Sequence, residues 1–487
     1  MSTTLANIGY NSIAKVLTMA VSMVTSAILA RTLGADDFGV VGIAMVVIGF
    51  FSRMSDIGIA SSLVQRRTLD NQVSETARAL NLILVGVLFL FAQVLSPFTR
   101  AAFKNPAVPR VVSVLAFGLL ISTLGFLPSA LLTREMRFAK LRIPSVGGTL
   151  VRGIVAVSCA LAGWNYWSLV AGNLAGNFTT AMLLRAVRPV KAKWRIYRGA
   201  AKELLHFGLP LWGSGLLVFA VFNIDNFAIG ALMGTTELGY YTVAMTWSTF
   251  ITATLYETVH SVLFPRFSQI QLDRAHLAEM YYRSLRVIIF VAVMSNATLF
   301  AVADGFLVTV LGKGSPRWLP SLGPLHILCV YGALRAIMEP VGPVIMALGR
   351  TKLFLRATLL PALVEICLLP LVAIKLGLAG VACLICVAYG LQWIVYGPFL
   401  KRELEVGPFR LLKLIIPVLL AAISGVLISR TIQLKDPLSW GSIVLRSAVV
   451  CVIFAVVHEV LTRGAFLAEI KYAAKTLTQG TKTPESD

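Results

Sequence analysis

Charge is what this chain has least of. Only 13% of its 487 residues are charged, about half the share of an ordinary soluble domain. Asp and Glu are scarcest, 22 against 43 Lys and Arg. The five histidines are scattered, with no metal-ligand spacing among them, so no metal site is expected. All six cysteines (Cys159, Cys329, Cys367, Cys383, Cys386, Cys451) fall inside apolar runs. Cys383 and Cys386 have C-x-x-C spacing, but no second Cys or His pair accompanies them, so they read as buried thiols. A basic start and a small-x-small site are also missing around the first apolar run, which is therefore not read as a cleavable signal. Polar stretches are few. The longest are the basic segment 185–204 and the tail after Arg463, so no water-soluble domain is expected.

What fills the chain instead is apolar sequence, 57% of the residues, with a mean hydropathy of +0.82. Runs long enough to cross a bilayer recur along the whole length. Fourteen are legible: 11–30, 38–64, 78–98, 111–132, 143–163, 166–184, 206–232, 239–264, 284–310, 322–348, 354–374, 378–399, 411–429 and 439–462. The fold class is therefore an all-α polytopic membrane protein of fourteen transmembrane helices.

Lys and Arg in the loops set the orientation of such a protein. With a cytoplasmic N-terminus, the inner loops, helix ends and tail hold 29 basic residues and the outer ones 9. Lys15, Arg53, Arg152, Arg335 and Arg446 lie within helices. Both termini are thus expected in the cytoplasm. The net charge of +21 is then explained by basic loops facing an anionic inner leaflet. No nucleic-acid partner is expected, since that would need a soluble basic surface. RPVKAKWRIYRGAAK (188–202) reads as a cytoplasmic surface linker.

Shifted by 200 residues, the sequence begins to match itself. ARTLGADDFGVVGIAM (30–45) lies over GALMGTTELGYYTVAM (230–245), aligning Gly34, Gly39, Ala44 and Met45 with Gly234, Gly239, Ala244 and Met245. From Leu17 to Arg66, eleven of fifty positions are identical to Leu217 through Arg266. A second echo, L-x-R-x-x-x-F, follows the fourth segment (Leu132, Arg134, Phe138) and the tenth (Leu348, Arg350, Phe354). A displacement of six helices keeps both copies in one orientation, related by an axis along the membrane normal. The expected organisation is an N-lobe 1–187, a basic linker 188–203, a C-lobe 204–401 and an added helix pair with a tail, 402–487. Parallel repeats are a transporter signature, with substrate sites where the halves meet. Interrupted helices point to the same place: the fourth segment carries Gly125 and Pro128, the tenth Pro340 and Pro343. A simple packing kink is the plainer account of any one proline.

Charges inside the apolar runs are expensive and usually functional. The stretch SRMSDIGIA (52–60) puts Arg53 and Asp56 in the middle of one. At spacing i, i+3 they could simply neutralise each other, as could Arg335 and Glu339 at i, i+4. Arg152 has no carboxylate within a turn; Glu365 is a candidate mate across the lobes. Lys15 lies about a turn inside the first helix and is read as snorkelling. Asp225, in VFNIDNFAIG, is flanked by Asn223 and Asn226 and could be a hydrogen-bonded structural residue. Trp164, Tyr166, Trp167 and Trp318 read as interfacial belts rather than a sugar platform.

Several stretches carry a family resemblance. FGVVGIAMVVIGFFSRMSDIGIASSLVQRR (38–67), MRFAKLRI (136–143), VLFPRFSQIQ (262–271) and IMALGRTK (345–352) resemble the Wzx-type polysaccharide flippases, colanic-acid and xanthan type, of the multidrug/oligosaccharidyl-lipid/polysaccharide exporter superfamily. The resemblance runs to about residue 400 and fades through the last helix pair. It implies translocation of an undecaprenyl-diphosphate-linked oligosaccharide across a bacterial inner membrane for exopolysaccharide or lipopolysaccharide synthesis. It also implies partnership with membrane lipids and with glycosyltransferases and a polymerase of the pathway.

Such a cargo needs a wet, cationic cavity, because neither a diphosphate nor a glycan enters hydrocarbon. Arg53, Arg152, Arg335 and Lys15 are the diphosphate candidates; an arginine fork matches phosphate oxygens where lysine is a point charge. Asp56, Asp225, Glu257, Glu339 and Glu365 are the candidates for proton or sodium coupling, and no other cofactor is expected. Two alternatives are weighed. A drug or metabolite antiporter would share the architecture but favour an acidic or apolar cavity. A polysaccharide polymerase or ligase would need a substantial outer loop bearing acid/base groups. The outer acids (Asp36, Asp37, Glu237, Asp304, Asp436) form no such constellation, so no enzyme is expected.

Overall fold

The structure, a computed structural model, describes residues 2–55, 58–66, 70–190, 193–432 and 436–464. Side chains of some helical residues, among them Glu257, lie outside the described set, as does the whole of Asp56. The described chain is helical, with no strand. Its α-helices are α1 (Ser2–Thr32), α2 (Ala35–Ser55), α3 (Ile59–Gln65), α4 (Asn71–Phe103), α5 (Ala107–Arg134), α6 (Phe138–Leu161), α7 (Tyr166–Val187), α8 (Arg198–Val221), α9 (Ile224–Leu232) and α10 (Thr235–Gln269). They continue with α11 (Arg274–Ala301), α12 (Ala303–Gly305), α13 (Leu322–Met338), α14 (Val341–Ala347), α15 (Thr351–Gly390), α16 (Trp393–Leu404), α17 (Pro408–Thr431) and α18 (Trp440–Leu461). Nine helices among the described residues are long and apolar enough to cross a membrane. The protein is a polytopic helical membrane protein.

Several apolar runs are interrupted. The run 38–64 divides into α2 and α3, with Gly58 left-handed at φ 61° before α3. The run 206–232 divides at Phe222 and Asn223, where the Asn223 amide donates to the Phe219 carbonyl (2.9 Å). The run 284–310 breaks after Ala301 and continues as a π-helical turn over Phe306–Leu311. In the tenth segment α13 ends at Met338 and α14 begins at Val341, the prolines removing helical donors. The fourth segment differs: α5 runs unbroken through Gly125 and Pro128. Gly377, at φ 63°, makes a kink inside α15 at the boundary between the two expected helices 354–374 and 378–399.

Contacts group the chain into two compact units, one of residues 1–245, 310–324 and 358–385, the other of 246–309, 325–357 and 386–487. In the first, α6 and α7 pack backbone to backbone through glycines. A Cβ on Gly148 would lie 1.9 Å from the Thr180 hydroxyl, and one on Gly172 2.8 Å from the Arg152 carbonyl. Small residues one turn apart allow this approach, as is usual for helices in lipid. Phe51, Val85, Leu88 and Leu119 form a buried cluster joining α2, α4 and α5. The basic linker lies against the start of α4: Tyr197 donates from its N–H to Thr76 (3.1 Å), and Arg78 covers the Trp194 ring at 3.9 Å.

The same unit holds a contact that mirrors the repeat. A Cβ on Gly39 would meet the Thr235 carbonyl oxygen at 1.7 Å, and one on Gly239 the Ala35 carbonyl oxygen at 1.8 Å. Ala35 and Gly39 align with Thr235 and Gly239 in the 200-residue shift. Each helix start thus contacts the other through the equivalent pair of residues. Asp36 accepts hydrogen bonds here from the Thr235 hydroxyl and Asn105.

In the second unit, the core joins α11, α14, α16, α17 and α18 through Leu285, Ile289, Val344, Leu400, Val418 and Phe454. The terminal helices α17 and α18 pack on each other and on α11.

Candidate functional site

Arg53 lies in the last turn of α2, shortly before the interruption at Gly58, so the charged stretch coincides with an interrupted helix. A cation in the last turn also sits well against the negative end of the helix dipole. Arg152 leaves the middle of α6 opposite Gly176 of α7, whose missing side chain makes room for it. A Cβ on Gly176 would lie 2.8 Å from the Arg152 Cβ and 3.2 Å from its Nε.

The two arginines line one cavity of about 1230 Å³ within the first unit. That exceeds the usual range of small-molecule pockets, roughly 300 to 1000 Å³. Its polar lining is otherwise hydroxyl and amide: Asn81, Asn173 and Asn177, with serines and threonines such as Ser122, Ser129, Thr149 and Thr180. No carboxylate occurs among the described lining residues. Arg152 donates from Nη2 to the Asn177 Oδ1 at 3.2 Å. It makes no ion pair with Glu365, contrary to the expectation of a mate there; a neutral amide on the neighbouring helix takes that place. Chemically, such a space solvates a polar solute and attracts an anion.

The other candidates lie elsewhere. Lys15 is half-buried on α1 and is not among the cavity's lining residues. Arg335, in the second unit, donates from Nε to Glu339 at 2.7 Å and is committed to that partner. Asp225 is buried in the first unit, accepting from the Tyr241 hydroxyl (2.7 Å) and from the Asn226 N–H (2.8 Å). Asn223, its other neighbour in sequence, bonds Phe219 instead. Glu365 is buried in the same unit. Trp318 is no interfacial residue: it is 1% exposed and donates its indole N–H to the Ala30 carbonyl at 3.0 Å, satisfying the end of α1. Trp164, at 55% exposure, does sit at the surface. With Tyr166 and Trp167 it lines a separate cavity of about 610 Å³.

Sequence reasoning missed the asparagines. Their signal is the doubled Gly-Asn of GNLAGN (172–177), two amides one turn apart in an apolar helix.

Residues 28–322 match the polysaccharide biosynthesis protein family over more than half of the chain. The chain belongs to that family. Among its relatives is the lipopolysaccharide biosynthesis protein WzxC of Escherichia coli (strain K12), 24% identical over 72% of this chain and 71% of that one. Another is the succinoglycan biosynthesis transport protein ExoT of Rhizobium meliloti (strain 1021), 25% identical over 66% of this chain and 65% of that one. Among solved structures, the fold is similar to the lipid II flippase MurJ in an inward closed conformation. The TM-score is 0.77 at 13% identity, covering 93% of this chain and 99% of MurJ. An inward-facing multidrug resistance MATE family transporter of the MOP superfamily is similar at TM-score 0.61 and 15% identity, covering 81% of this chain and 98% of that one.

Proposed function

We propose that this chain carries an undecaprenyl-diphosphate-linked oligosaccharide from the inner to the outer leaflet of a bacterial inner membrane, by alternating access and without chemical change to the cargo. The observation that supports it best is the shared cavity of Arg53 and Arg152, about 1230 Å³, whose other polar groups are hydroxyls and amides set among apolar residues such as Leu115, Phe126 and Phe219. Two guanidinium groups suit the diphosphate, and the neutral polar wall suits a glycan. Membership of a polysaccharide biosynthesis family and relatives named for lipopolysaccharide and succinoglycan biosynthesis favour the same cargo. A cation-exporting antiporter would want carboxylates where these arginines stand.

Two six-helix lobes, 1–187 and 204–401, would then rock about the fixed site, and the reciprocal Gly39 and Gly239 contact favours a two-fold relation between them. The completed set is fourteen spans, with both termini in the cytoplasm, an orientation that the basic loops support. Asp225 and Glu365, buried and without an ion pair among the described residues, are the coupling carboxylates for a proton or sodium ion. Glu339 is neutralised by Arg335. Glycosyltransferases and a polymerase of the same pathway are the natural partners.

The test is export measured beside membrane abundance. Arg53→Ala should abolish polysaccharide export at normal protein level, and Arg53→Lys should restore it only in part, since the bidentate fork is lost. If Arg53 merely neutralises Asp56, the charge swap Arg53→Asp with Asp56→Arg should export normally, and that result would reject the role.

A further inference from the structure

Arg152 is held in an unusual way for a cation at membrane depth: by amides. Asn177 Oδ1 accepts from its Nη2 at 3.2 Å, Asn177 Nδ2 donates to Asn173 Oδ1 at 3.2 Å, and Asn173 Nδ2 approaches the Met45 sulfur at 3.4 Å. The two asparagines stand one turn apart on α7, and both line the cavity. Their dipoles run head to tail with the oxygen end toward Arg152, so each bond polarises the next. Gly176 lies between them, where any side chain would strike Arg152.

We propose that Asn177 and Asn173 are positioning residues for Arg152, an amide relay that fixes the guanidinium without neutralising it. The inference rests on the reading of Arg152 as a phosphate-oxyanion site. An arginine at this depth needs an acceptor to be tolerated. A carboxylate would satisfy it but would compete with an incoming phosphate for the same fork. A neutral amide solvates one of five N–H groups and leaves the charge for the ligand. The relay thereby selects for anionic cargo and explains why an acceptor of the right length carries no charge.

The design makes an isosteric change harmful. Asn177→Asp keeps shape and places a carboxylate on Arg152. Binding of undecaprenyl diphosphate and, separately, of inorganic diphosphate to the full-length protein in nanodiscs would be measured, with thermal unfolding as the control for folding. Asn177→Ala should weaken undecaprenyl diphosphate binding about tenfold, the loss of a hydrogen bond to a charged group. Asn177→Asp should weaken it at least as much as Arg152→Ala does, while its melting temperature stays at or above that of the wild type. Asn173→Ala, one step further out, should cost less than Asn177→Ala, and it supplies the test if Asn177 variants fail to fold. Inorganic diphosphate competing with the lipid would assign the site to the phosphate group alone; failure to compete would assign it to the lipid-linked headgroup. Wild-type affinity in Asn177→Asp or Asn173→Ala, with binding lost in Arg152→Ala, would overturn the relay and leave the Arg152 site standing. Unchanged affinity in Arg152→Ala would overturn both.

Discussion

Replacing Gly39 with alanine should damage the protein as much as replacing Gly239, although the two are 200 positions apart in sequence. In each case the new methyl carbon would lie 1.7 or 1.8 Å from a backbone carbonyl oxygen of the other helix start. A tolerable carbon-to-oxygen contact is about 3.3 Å, so α2 and α10 would have to separate by roughly 1.5 Å. Neither obstacle is a flexible side chain that could swing aside. Overpacking of this kind typically costs about 1 to 3 kcal/mol, and the Thr235 to Asp36 hydrogen bond sits in the same contact. Because both clashes are relieved by one separation, the double variant should be little worse than either single one. A double-mutant cycle on thermal unfolding in detergent would then show a coupling energy about equal to one single-variant loss. Additive losses, or a loss at only one glycine, would refute the reciprocal contact.

In the second unit, Arg335→Ala should destabilise the protein by about 3 to 5 kcal/mol, because it strands the buried Glu339, whereas the paired change Arg335→Met with Glu339→Gln should recover most of that loss; thermal unfolding of the three proteins checks it. Cysteine placed at position 193 in a variant lacking the native cysteines should react only with reagents that reach the cytoplasm. Labelling from the periplasmic side would reverse the orientation and the direction of transport.

Much of the architecture is legible because hydropathy is a strong, local signal: the apolar runs, the boundary between 374 and 378 and the repeat around Gly39 and Gly239 are all visible in the residues. Arg53 and Arg152 are visible for the opposite reason, as charges whose cost demands an explanation. Asn173 and Asn177 are less so: GNLAGN marks them as polar, but the partner that gives them a role, Arg152, lies on another helix. The same holds for Tyr241, which satisfies Asp225 across a helix pair where the neighbouring asparagines looked sufficient. Trp318 misleads because residue type favours an interfacial belt, whereas the buried Ala30 carbonyl in the last turn of α1 takes its indole N–H. The interruption at Gly58 is a weak cue in sequence until its positive φ is seen.

The most direct measurement is flipping itself. The purified protein would be placed in liposomes with a fluorescent undecaprenyl-diphosphate-linked oligosaccharide, and the fraction moved between leaflets would be read by a membrane-impermeant quencher. The account predicts transfer by the wild-type protein, severe loss in Arg53→Ala and in Arg152→Ala at equal incorporation, and little effect of Lys15→Ala, which lies outside the cavity. Transfer at the wild-type rate in the variant lacking both arginines would contradict it.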